Sequence, residues 1–159
     1  MLVLHYTGMQ SAEAALNRLC DPAARVSAHY VVDEDGAIWR LVPEARRAFH
    51  AGRSCWEGET DLNSVSIGIE IVNPGHEWGY RAFPEEQMAA VEYLCRDIFS
   101  RHPIPPHRVV GHSDIAPDRK TVCLFDPAPV IGSGRPPQIG EGDAEPPPGA
   151  LPLRPCLPD

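Results

Sequence analysis

Apolar residues fall in short blocks along much of this chain, and each block predicts an element. Residues 2 to 5 form an apolar run ended by Thr7-Gly8, which reads as a buried strand. Ser11 offers an N-cap for a short helix over Ala12 to Leu19, and Asp21-Pro22 stops it. Two strands follow at about 28 to 33 and 37 to 42. Asp33-Glu34-Asp35-Gly36 joins them, and Asp-Gly between β-rich runs is a strong hairpin signal. The stretch 64 to 72, "SVSIGIEIV", reads as another strand in which Ile67, Ile69 and Ile71 alternate with Gly68 and Glu70. Pro84 to Arg101 is the clearest helix, with Glu85 and Glu86 in its first turn. Met88, Val91, Leu94, Cys95, Ile98 and Phe99 fall on one face of it and predict a core stripe. His102-Pro103 ends that helix, and Val109-Val110 is a short strand delivering Gly111-His112. Strands mixed with two helices predict an α/β domain: a central mixed β-sheet flanked by helices.

Two segments lack this patterning. Residues 43 to 63 are irregular yet carry Phe49, His50 and Trp56, so this loop is expected to line a site. Beyond Asp126, residues 127 to 159 hold 10 prolines and 5 glycines in 33 positions. Such a composition predicts a disordered or loosely attached tail, and places the folded domain at 1 to 126. At 159 residues the chain is long enough for one domain with its own core.

The net charge of −8 argues against binding nucleic acid, which needs clustered Lys and Arg. No stretch is long and apolar enough to span a membrane. Five cysteines, at 20, 55, 95, 123 and 156, form no C-x-x-C pair and are expected to be free thiols in a reducing compartment. With no leader pattern, the expected location is cytoplasmic, although Met1 runs straight into a strand and the start is open to question. A monomer is expected.

Of seven histidines, His76, His102 and His107 are expected to be structural or exposed. His5 ends the first strand, and His112 follows another. Histidines at two strand ends can converge on one sheet edge and bind metal. Catalytic zinc takes three protein ligands and keeps a fourth position open. Glu70, acidic in an apolar strand, is either a general base beside such a site or a carboxylate on a solvent-facing position. Lys120 is either an oxyanion stabiliser or a surface lysine.

Taken together, "VLHYT", "VSAHYVVDEDG", "RAFHAG", "NSVSIGIEIVNP" and "VGHSDIAPDRKT" resemble, in order and spacing, the zinc-dependent N-acetylmuramoyl-L-alanine amidases of the type 2 family. That family also includes phage amidase lysozymes and the peptidoglycan recognition proteins. The similarity runs from residue 2 to about 121 and looks closest to the branch that trims recycled muropeptides in the cytosol. It implies a central mixed sheet with helices packed on it. It also implies hydrolysis of the amide between N-acetylmuramic acid, with or without a 1,6-anhydro ring, and L-alanine. The resemblance makes His5 and His112 zinc ligands, Glu70 the catalytic glutamate and Lys120 the stabiliser of the tetrahedral intermediate. It puts Tyr6 and His50 at the substrate. His29 also falls in a matching motif, with buried hydrogen bonding to backbone as the plainer role.

The chain departs from the family after Lys120. There the lysine is followed by one residue and then Asp-Pro-Gly, whose aspartate is the third zinc ligand; here Val122 stands in that place. Asp126, in "LFDP", is the favoured replacement, ahead of Cys123 and of a water or distant residue. The family's C-terminal helix is also replaced by the Pro/Gly-rich tail, which a shifted reading frame near residue 122 would explain. The leading expectation is a zinc amidase. A muropeptide-binding module without catalysis is the alternative, and zinc hydrolysis of some other amide is a third.

Overall fold

The alternation of Ile67, Ile69 and Ile71 with Gly68 and Glu70 decides what each face of the sheet becomes. The computed structural model describes residues 1–118 and a short strand at Arg154–Pro155. In it, β1 (Leu2–Tyr6), β2 (Tyr30–Val32), β3 (Ile38–Arg40), β4 (Ile67–Ile71), β5 (Val109–Gly111) and β6 (Arg154–Pro155) form one sheet of order β5-β1-β4-β2-β3-β6. β1 pairs in parallel with both β4 and β5, and β2 pairs in parallel with β4; the β2–β3 hairpin is antiparallel, so the sheet is mixed as expected.

The isoleucine face is covered by α4 (Glu85–Arg101). Leu2, Leu4, Ile67, Ile69 and Ile71 pack there against Val91, Leu94, Cys95 and Ile98. The predicted stripe is therefore the core, with Met88 and Phe99 partly buried at its margin. Pro84 caps this helix from outside its first turn. The opposite face carries Val3 and Val31. Val31 packs with Leu19 of α1 (Ala12–Leu19), which Ser11 caps as predicted.

The periodicity gives no hint that Gln87 is wholly buried on α4. Its Nε2 donates to the carbonyls of Val32 and Val72 at 3.1 and 2.9 Å, holding the helix start against the C-terminal ends of β2 and β4. Gln87→Leu removes those donors while keeping the bulk. A loss of about 1–3 kcal/mol is expected, read as a lower urea midpoint; an unchanged midpoint refutes the tie.

Three sequence expectations change. Residues 64 to 66 are not strand: Leu62–Val65 forms one helical turn, α2, and the Ser66 hydroxyl donates back to the Leu62 carbonyl. A hydroxyl reaching the carbonyl four residues earlier closes such a turn and competes with strand pairing. Helical turns also form at α3 (Gly75–Trp78) and α5 (His112–Ile115), where Asp114 accepts from the Gly111 amide at 2.7 Å. Finally, the cysteines are not all free: Cys20 is disulfide-bonded, whereas Cys55 and Cys95 are free thiols. No described helix is long and apolar enough to cross a membrane. The expected disordered tail lies outside the described residues, apart from Arg154–Pro155, whose backbone pairs with Trp39 and Arg40 of β3.

Candidate metal centre

Register builds the site. His5 of β1 stands directly opposite Glu70 of β4, and Leu4 opposite Gly111, so His112 begins α5 one step beyond the paired strand. His5 and Glu70 project from the face not covered by α4, because their neighbours Leu4, Ile69 and Ile71 take the core side. The Nδ1 atoms of His5 and His112 meet at 2.7 Å. Their rings are edge to face, with centroids 4.5 Å apart.

The segment His50-Ala51 lies over these residues. Asn63 Oδ1 accepts from both backbone amides of that pair, at 2.9 and 2.8 Å. The His50 ring rests on Gly68: a Cβ there would stand 2.4 Å from the imidazole Cγ. Gly68 is glycine because a ring occupies the space a side chain would fill. His29 lies beneath and is fully buried. Its Nδ1 accepts from the Gly68 amide and its Nε2 donates to the Arg46 carbonyl, both at 3.0 Å, so the plainer role expected for it is the one it has. Burial lowers the His29 pKa.

Hydrogen bonding assigns the ring protons. The single proton of the Ser66 hydroxyl goes to the Leu62 carbonyl, which can only accept. The Ser66 oxygen must then accept from Nε2 of His50, 3.3 Å away. Burial, with His29 and His112 nearby, pushes the His50 pKa down to about 3, so this ring is neutral and its Nδ1 bears a lone pair. That lone pair accepts from Nε2–H of His5 at 3.0 Å. Separately, Nε2–H of His112 donates to the Ala51 carbonyl at 3.1 Å. With those protons placed, the two remaining nitrogens, Nδ1 of His5 and of His112, are the ones that meet at 2.7 Å.

A cation between those two nitrogens would take a coordinate bond from each. The donors fit two of zinc's three protein ligands. Among the described residues no group of three His, Cys, Asp or Glu side chains completes the set. Asp126, Cys123, Val122 and Lys120 all lie outside the described residues.

A family model for N-acetylmuramoyl-L-alanine amidase matches residues 1–128. The chain belongs to that amidase family. Among relatives of this amidase domain, AmiD of Escherichia coli is 40% identical over 143 residues, covering 82% of this chain and 49% of its own length. The 1,6-anhydro-N-acetylmuramyl-L-alanine amidase AmpD of E. coli is 40% identical over 111 residues, covering 70% of this chain and 56% of its own. The chain therefore spans about half the length of these relatives. E. coli AmiD solved with the substrate anhydro-N-acetylmuramic acid-L-Ala-D-γ-Glu-L-Lys superposes with a TM-score of 0.68 at 40% identity, over 83% of this chain and 53% of that one. AmpDh3 of Pseudomonas aeruginosa gives 0.70 at 36% identity, over 82% and 55%. The expected fold class, α/β of the type 2 amidase kind, is thereby established.

The sequence-predicted residues are not all brought together. His5, His112 and Glu70 are. His50 joins them, buried and with both ring nitrogens engaged. Tyr6 is on the other side of β1 from His5; its ring packs on Gly75, with His76 and Tyr80 in edge contact. Trp56 packs against the cluster of Val3, Ala51, Leu62 and Ile115, while Phe49 is 51% exposed under the Arg47 guanidinium. His102 and His107 approach Glu44 and Glu57, and His76 stacks on Tyr80, all in keeping with structural or exposed histidines. Sequence reasoning passed over Asn63, Ser66 and Gly68, which support the site without being metal ligands. Only the glycine inside the strand pattern carried a signal, that of a close approach.

Proposed function

We propose that this chain is a zinc-dependent amidase that cleaves the bond between N-acetylmuramic acid and L-alanine in peptidoglycan fragments. The observation that carries the reading is the close approach of Nδ1 of His5 and Nδ1 of His112, 2.7 Å apart and set beside Glu70 by strand register. The substrate named for the E. coli AmiD complex supports the same class, with the anhydro sugar included. His5 and His112 hold the metal, and Asp126 supplies the third ligand in place of Val122, with Cys123 the competing donor. Zinc bound there lowers the pKa of a water ligand toward about 7 and polarises a carbonyl. Glu70 takes the proton of the attacking water and returns it to the departing alanine nitrogen. Lys120 stabilises the oxygen that becomes negative at the lactyl carbonyl.

The test is metal content by elemental analysis, together with peptide release from anhydro-N-acetylmuramic acid-L-Ala-D-γ-Glu-L-Lys. About one zinc per chain is expected, with turnover that a chelator abolishes and zinc restores. Asp126→Ala then loses the metal while Cys123→Ala keeps it. Fragment binding without zinc or turnover refutes the enzyme and supports the second reading, a muropeptide-binding module, which Val122 at the ligand position favours.

A further inference from the structure

We infer that His50 and Ser66 are positioning residues that fix the tautomer of His5, presenting its Nδ1 to the metal, and that His50 does this instead of contacting substrate. The inference rests on zinc binding at His5 and His112 as proposed above. Metal-binding imidazoles usually donate their second N–H to a carboxylate, a backbone carbonyl or water. His112 follows that habit through the Ala51 carbonyl. His5 does not: its Nε2 meets another imidazole, Nδ1 of His50, at 3.0 Å.

An imidazole can accept only at a ring nitrogen without a proton, so it orients His5 only if its own single proton sits on the far side. Ser66 enforces that. Its hydroxyl is committed to Leu62, which leaves its oxygen as an acceptor for Nε2–H of His50. The order runs from the helical turn outward: Leu62 carbonyl, Ser66, His50, His5. Reversing any link would put a proton on Nδ1 of His50 and turn it against Nε2–H of His5. His5 would then swap tautomers and place a proton on Nδ1, where it would block metal binding.

Every nitrogen of His50 is used in this chain of bonds, and the residue is 7% exposed. Its ring is wedged on Gly68 and its backbone is held by Asn63. These are the features of a fixed support.

Two measurements on the full chain test this. The first is long-range 1H–15N correlation of the imidazoles in metal-free protein, which judges the relay without zinc. His5, His50 and His112 are all expected as Nε2–H tautomers; an Nδ1–H tautomer at His5 or His50 overturns the inference. The second is zinc affinity by chelator competition. His50→Leu is expected to weaken zinc about 10–100-fold. His50→Gln, which keeps an acceptor for His5, should recover most of that loss. Ser66→Ala disturbs the packing least and should weaken zinc about fivefold, the weight of one hydrogen bond. Equal losses in the Leu and Gln variants, or unchanged affinity in Ser66→Ala, overturn the inference. Failure of the parent chain to bind zinc refutes the metal reading instead, and the tautomer spectrum still decides the relay.

Discussion

Replacing Glu70 by alanine is expected to lower turnover about 10²–10⁴-fold while zinc stays bound, the range for loss of a positioned general base. Strand register supplies the reason. Glu70 is the direct partner of His5 on β4 and shares its side of the sheet. It is half-buried, in a strand whose other side chains are core isoleucines or the glycine beneath His50. A carboxylate there stands beside His5, where it could take a proton at the proposed metal. Glu70→Gln keeps the shape and the hydrogen-bonding oxygen but cannot take the proton, so it should be as inactive as alanine. Metal content and melting temperature should match the parent in both variants. Undiminished peptide release from Glu70→Gln would remove Glu70 from the mechanism. Loss of zinc along with turnover would make it a support for the metal instead.

Gly68→Ala is expected to destabilise the domain by about 3 kcal/mol, the upper end for overpacking, and to weaken zinc as well. The added methyl would stand 2.4 Å from the His50 ring. Neither side can yield cheaply. Gly68 is in the centre of β4, paired with Val3, and its amide donates to His29. His50 is tethered at its backbone by Asn63 and at its ring by His5 and Ser66. Urea unfolding reads the first effect and chelator competition the second. An alanine variant as stable as the parent would show that the ring can move aside.

The sequence makes the skeleton of this site plain and leaves its supports hidden, for a physical reason. Alternation along 67 to 71 separates the isoleucine face from Gly68 and Glu70, and α4 announces its own buried stripe. Histidines at strand ends converge because parallel pairing aligns those ends. Glu70 stays ambiguous in the sequence, since alternation cannot say whether the second face meets solvent or a site; its pairing with His5 puts it beside the two histidines. The support by His50 depends on how a long irregular loop folds back, and no local pattern encodes such a return. Ser66 looks like a strand residue until its hydroxyl is seen closing α2. Tyr6 adjoins His5 in the chain, and that same adjacency sends its side chain to the other face. Lys120 and Asp126 lie outside the described residues, so the matter of the third ligand passes to metal analysis.

The dipeptide His50-Ala51 serves both imidazoles, one through a side chain and the other through a carbonyl. The separation of the two facing Nδ1 atoms is therefore governed by a buried loop crossing as much as by the sheet beneath it. Lengthening or shortening the path between Ala51 and Asn63 would shift both supports together, so the pair would lose its aim as a unit. Anyone grafting this centre onto another parallel sheet must carry that crossing along with the two histidines, since the strands alone would deliver two rings with no agreed orientation.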